Sequence, residues 1–94
     1  MFDIQLKDDS YISLIGRFSA ANAQQAEAVL EKVNRDCIID FKDLEYISSS
    51  GIGAIVRIYS KLLKSGHTLQ LKNMNKHIRE VFTYAGLDKI LTLD

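Results

Sequence analysis

Three consecutive hydroxyls, Ser48, Ser49 and Ser50, stand directly before Gly51-Ile52-Gly53 in the stretch ISSSGIG. Four chemistries use such residues. Glycines at a helix start can cradle a phosphate with bare backbone N–H groups. A serine flanked by glycines can be a hydrolase nucleophile. A serine hydroxyl can carry a phosphoryl group that is added and removed. The least demanding use is a cap, in which the serine oxygen accepts an orphan N–H of the first helical turn.

Spacing argues against two of these. A nucleotide loop needs a lysine after its second glycine, and Ala54 follows Gly53. The dinucleotide fingerprint needs three glycines at another spacing. A hydrolase elbow built on Ser49 finds Gly51 two residues on but Ile47 two residues back. A triad would also need a histidine and an acid. His67 heads a strand-like run and His77 opens a helix-like one, with no reason to converge on the serine. These histidines and the single Cys37 match no ligand spacing, so no metal or cofactor is expected. A cap explains one serine. Three serines and two glycines exceed what a cap needs, because each glycine in a helix costs about 1 kcal/mol relative to alanine. A plain cap and a functional helix start therefore both stay open on the residues alone.

The flanking patterns say what must position this stretch. Phe2, Ile4 and Leu6 alternate with polar residues, as in a half-buried strand. Asp8-Asp9-Ser10 is turn-prone, and YISLIG reads as a second strand ended by Gly16, completing an antiparallel hairpin. FSAANAQQAEAVLEKVNRD reads as one helix capped by Ser19 or Asn22. CIIDF is a short buried strand, and KDLEYI a link into the serines. From Gly51 the period becomes helical, with Ile52, Ile55, Val56, Tyr59, Leu62 and Leu63 on one face and Gly66 at the end. HTLQLKN alternates as a strand. NKHIREVFTYAG is a short helix, with Ile78, Val81, Phe82 and Ala85 on one face, and KILTLD is a last strand. The order β-β-α-β-α-β-α-β implies parallel pairing through right-handed crossovers, and the opening hairpin makes the sheet mixed.

Ninety-four residues suit one domain spanning 1–94. Twelve basic side chains balance twelve acidic ones, which removes any global electrostatic case for nucleic acid or a membrane surface. Cys37 lies in an apolar run, where a free thiol is ordinarily a small buried side chain. The N-terminus lacks a signal-peptide pattern, and no apolar run approaches membrane-spanning length, so a cytoplasmic location is expected.

The segment CIIDFKDLEYISSSGIGAIVRIYSKLLKSGHTLQLKN resembles the core of the STAS domain, the fold of bacterial anti-sigma factor antagonists. Asp40 matches the family's strand aspartate, Leu44, Tyr46 and Ile47 its link, and Ser49, Ser50, Gly51, Ile52 and Gly53 its serine-glycine motif. LIGRFSAANAQQAEAVLEKV and IREVFTYAGLDKIL resemble the flanking segments, so the likeness runs through nearly the whole chain. The resemblance implies an α/β STAS fold, a mixed sheet with three helices, and a protein that is not an enzyme. It implies partner switching. The unmodified domain binds a serine kinase of the histidine-kinase-like fold, often an anti-sigma factor. Phosphorylation of one serine releases it, and a PP2C-type phosphatase restores binding.

By position that serine is Ser49, with Ser48 and Ser50 as the alternatives, and Ser19, Ser48, Ser50, Gly51, Ile52 and Gly53 as the docking surface. A monomer is expected. The sequence departs from the pattern twice, since Ser48 replaces the motif aspartate and Ser19 an upstream one. The second reading is a STAS scaffold, or a regulatory subunit of a transport machine, that is never phosphorylated.

Overall fold

The structure, a computed structural model, describes residues 1–93. Strands β1 (Phe2–Asp8) and β2 (Tyr11–Phe18) form the expected antiparallel hairpin. Its turn is held by Asp8, whose Oδ1 accepts the backbone N–H of Ser10 at 2.7 Å and its hydroxyl at 2.8 Å. Helix α1 (Ala23–Leu30), strand β3 (Cys37–Ile47), helix α2 (Ser49–Lys64), strand β4 (Leu69–Lys72), helix α3 (Lys76–Tyr84) and strand β5 (Thr92–Leu93) follow. This is the predicted β-β-α-β-α-β-α-β order. The sheet runs β1-β2-β3-β4-β5, antiparallel in its first pair and parallel thereafter.

Several expectations change in detail. Gly16 does not end the strand run, because β2 continues to Phe18. Gly16 adopts φ +88°, where a side chain is strained, and a Cβ there would lie 2.2 Å from the Met1 carbonyl oxygen. That carbonyl accepts the N–H of Arg17 at 2.8 Å. The glycine is thus a bend inside the strand. The expected long helix is shorter: a 3-10 turn at Ala20–Asn22 leads into α1, which ends at Leu30. Of the α1 residues only Ala26 and Leu30 are buried, too narrow an apolar face to hold a longer helix.

The link KDLEYI is strand as well, since β3 runs on to Ile47 in register with β2. Two register shifts along the β2–β3 pair absorb its irregular pattern. The last strand shortens to Thr92–Leu93, and Asp94 lies outside the described residues.

Helix α2 is rotated from the face its large side chains suggest. Gly51, Ala54, Ile55, Ile58 and Leu62 are buried, whereas Ile52, Val56 and Tyr59 are half-buried and Leu63 is exposed. The small residues Gly51 and Ala54 let the helix press close to the sheet. In α3, Ile78 and Phe82 are buried as expected, while Ala85 beyond its end is exposed. Phe82 meets Phe41 of β3 edge-on, ring centroids 5.9 Å apart.

Asp40 ties β3 to β2 and to Asn73 just beyond β4. Its carboxylate accepts the Tyr11 hydroxyl at 2.7 Å, the Asn73 amide at 3.0 Å and the Lys42 N–H at 2.9 Å. Partial burial pushes its pKa up, but these donors outweigh that and hold the carboxyl below its usual range. The same contact raises the Tyr11 hydroxyl, which donates to the carboxylate. At the sheet's edge, the Asp3 carboxylate accepts the N–H of Ile4 at 2.9 Å and the Gln5 side-chain amide at 3.0 Å.

Candidate functional site

The carboxyl ends of β2 and β3 build the site. Phe18 and Ile47 are register partners, so Ser19 and Ser48 leave the sheet side by side. The N–H of Ser48 donates to the Phe18 carbonyl at 2.8 Å, tying the two exits together. Helices turn back from both exits because a serine in extended conformation begins each, with φ −89° at Ser19 and φ −85° at Ser48. The Ser19 hydroxyl and N–H both donate to Oδ1 of Asn22, at 2.8 and 3.2 Å.

The three serines are not equivalent. Ser48 is the N-cap, and its hydroxyl accepts the Gly51 N–H at 3.1 Å. Serine and aspartate are about equally good caps, so the helix start needs no carboxylate at position 48. Ser49 and Ser50 are exposed, and among the described residues no side-chain hydrogen bond engages either hydroxyl. They open a 16-residue helix with no acidic residue in its first turn, and the positive end of its dipole favours an added anion there.

The two glycines also divide. Gly51 is buried, and a Cβ on it would sit 2.8 Å from Cγ1 of Ile47 and 3.1 Å from the Phe18 ring. It is a packing residue beneath the serines. Gly53 is half-buried, and a Cβ there would meet only the Arg57 guanidinium, at 3.5 and 3.9 Å, which is ordinary contact. Packing therefore requires glycine at 51 and leaves 53 unexplained. Gly51→Ala is expected to cost about 1–3 kcal/mol from overpacking. Gly53→Ala should be neutral to stabilising by about 1 kcal/mol, because alanine favours a helix. Urea denaturation of both variants checks this contrast, and equal destabilisation would contradict it.

Ile52 is half-buried against the core, beside the serines, and Val56, Tyr59 and Leu63 extend its flank along α2. The residues that support the site were not evident from local pattern. Phe18, fully buried, stacks on Phe2 at 4.6 Å and lies under Gly51. Arg57 forms an ion pair with Glu27 of α1, and Arg17 lies over the Tyr46 ring at 4.6 Å.

Other candidates stay apart. Asp40 precedes Ser48 by eight residues along β3 and is engaged in the strand clamp. His67 lies beyond the far end of α2, roughly 24 Å of helix rise from Ser49, and sits 3.5 Å from Asp36. His77 is exposed on α3. Cys37 is buried, and desolvation pushes its thiol up to about 11, so it is no nucleophile at neutral pH. Among the described residues no group of three or more His, Cys, Asp or Glu is placed to hold a metal ion, and no helix is long and apolar enough to cross a membrane.

Comparison with known proteins assigns this chain to a family. The family model described as "Mlab, STAS domain" matches residues 2–92. The chain belongs to the STAS domain family. It is 35% identical over 77 residues to BtrV of Bordetella bronchiseptica, a presumed anti-sigma factor antagonist, covering 78% of this chain and 66% of BtrV. It is 26% identical over 92 residues to the anti-sigma-B factor antagonist of Bacillus subtilis, covering 95% of this chain and 84% of that protein.

The Bacillus antagonist SpoIIAA shares the STAS fold, with a TM-score of 0.74 and 17% identity in its unphosphorylated form, over all of this chain and 87% of that one. Its phosphorylated form superposes with a TM-score of 0.72 at 19% identity, covering 100% and 91%. The predicted mixed α/β STAS fold is therefore present, and the relatives this STAS domain resembles are named as regulators.

Proposed function

We propose that this STAS domain is a partner-switching protein of the anti-sigma factor antagonist kind, controlled by phosphate on Ser49. Unmodified, it docks through the start of α2 onto a serine kinase of the histidine-kinase-like fold that doubles as an anti-sigma factor. The kinase transfers a phosphoryl group from ATP. The Ser49 oxygen bonds to the γ-phosphorus, the bond to the β–γ bridging oxygen breaks, ADP leaves, and the hydroxyl proton passes to a base on the kinase. A PP2C-type phosphatase reverses the change by adding water across the ester and releasing inorganic phosphate. The domain itself supplies a substrate hydroxyl and a docking face. It acts as a cytoplasmic monomer, binding neither nucleic acid nor a cofactor.

One observation carries this reading. Ser48 is consumed as the cap, while Ser49 and Ser50, exposed at the first two helical positions, make no side-chain hydrogen bond among the described residues, and of the two Ser49 takes the position that the family resemblance assigns to phosphate. A phosphoserine there brings −1.5 to −2 charges to the helix end best able to accept them. The fold can stay intact while the docking surface changes sign. The partner-facing set is then Ser49, Ser50, Ile52 and Gly53, bordered by Ser19 and Ser48, with Gly51 holding the helix down beneath it.

Mass spectrometry tests the site. Trypsin cuts after Lys42 and Arg57 and leaves all three serines on one peptide. Fragment ions are expected to place phosphate on Ser49. The alternative, a STAS scaffold or transport-machine subunit that is never phosphorylated, draws on Ser48 standing in the place of the motif aspartate. Full coverage of this peptide without phosphate, across growth conditions, would select it.

A further inference from the structure

Gly53 is the one glycine of the motif that the chain's own packing does not require. Its backbone is not in the left-handed region, and a Cβ would make only ordinary contact with Arg57. It is the i+4 neighbour of Ser49, so the Ser49 Cβ lies roughly 5–6 Å from where a Gly53 Cβ would be. Arg57 follows Gly53 by one further turn, and helical side chains lean toward the N-terminus. Its guanidinium nitrogens accordingly lie 3.5 and 3.9 Å from that same point. Ser49 and Arg57 thus flank the open position over Gly53, which a large side chain there would occupy.

Arg57 is held by Glu27 on α1, and its side chain is 63% exposed. An exposed ion pair of this kind is weak. A phosphate carries more charge than one carboxylate and offers three acceptor oxygens to a planar guanidinium fork. A second link between the helices, from Lys61 Nζ to the Glu31 carbonyl at 2.6 Å, does not depend on Arg57. Arg57 can leave Glu27 without undocking α1.

We propose that Arg57 is an internal reader of phosphorylation: it exchanges Glu27 for the phosphate on Ser49, reaching across the space left by Gly53. This rests on the phosphorylation reading above and adds a regulatory element to it. In the exchanged state the phosphate is partly neutralised within the chain, and the α1–α2 seam, with Leu30, Ala54 and Ile58 lining a cavity of ≈ 110 Å³, loses its Arg57–Glu27 rim. Phosphorylation then remodels a face of the domain beyond the modified serine.

The test uses the full chain with phosphoserine installed at position 49 by genetic code expansion, so that no kinase is needed. Phosphorus NMR follows the second ionisation of the phosphate, ordinarily near pH 6. Arg57 is expected to lower that midpoint by about one unit, as a close opposite charge does. Arg57→Gln should restore the ordinary value. Gly53→Leu, which fills the gap and keeps the charge, should restore most of it. Arg57→Lys, which keeps the charge but loses the fork, should fall between and serves if Gly53→Leu does not fold.

Identical midpoints for the wild type and Arg57→Gln would overturn the proposal. So would a midpoint that moves with Arg57→Gln while Gly53→Leu, or Arg57→Lys in its place, leaves it at the wild-type value. Failure to find phosphate in cells would overturn the proposed function and leave this result standing, so the two failures are separable.

Discussion

Ser49→Asp is expected to weaken binding to the kinase-fold partner by about 2–4 kcal/mol, roughly 30- to 700-fold in Kd. On the proposed function, the substitution places one charge in the middle of the docking surface, where desolvating an ill-paired charge opposes binding. Ser49→Ala removes only an exposed hydroxyl that makes no side-chain hydrogen bond among the described residues, so it should bind at least as well as wild type and fail to switch. Aspartate is a poorer phosphate, with one charge and a planar head, which is why the expected loss is bounded. Salt separates the causes. A long-range effect fades as the screening length falls to ~3 Å at 1 M, whereas desolvation and shape persist. Most of the loss should persist. Calorimetric titration of the three proteins decides this, and equal affinities would reduce Ser49 to the first residue of an ordinary helix.

Phe18→Ala should remove about 3–5 kcal/mol of stability, the range for truncating a buried phenylalanine. Against a total of about 5–15 kcal/mol for a typical domain, this is a large fraction. The ring is fully buried, stacks on Phe2, and forms the floor on which Gly51 sits. The same residue's carbonyl receives the Ser48 N–H. The loss should therefore reach the site and loosen the first turn of α2. Urea denaturation with hydrogen exchange at residues 48–53 measures both effects. Because the ring is one of the two obstacles to a Cβ at 51, Gly51→Ala should cost less in the Phe18→Ala background than alone. A loss under about 1 kcal/mol for Phe18→Ala would show that the site does not depend on this ring.

The element order was legible because each run carries its own period: alternation in Phe2-Ile4-Leu6, helical spacing after Gly51. The serines were legible as a helix start because caps act locally. What escaped was set by contacts distant in sequence. The rotation of α2 follows from Gly51 meeting Phe18 and Ile47, an approach that puts a glycine and an alanine inward and turns larger residues outward. The strand character of KDLEYI comes from pairing with β2, since its composition is too polar to signal it. Gly16 looked like a terminator because local reasoning sees a flexible residue and not the Met1 carbonyl packed against it. The different duties of Gly51 and Gly53, identical in sequence terms, emerge only when a Cβ is placed on each.

The Asp3 carboxylate has a consequence for how the protein lives among its own copies. Strand β1 lies at the rim of the sheet, and ladder bonds alternate along an antiparallel pair. Because Met1 bonds toward β2, the N–H of Ile4 points to the open side, and Asp3 receives it. A rim amide already satisfied within its own chain cannot template another strand, and a fixed negative charge beside it repels an approaching copy. In a crowded cell this makes strand-on-strand growth harder to start at Ile4, one position of the β1 rim.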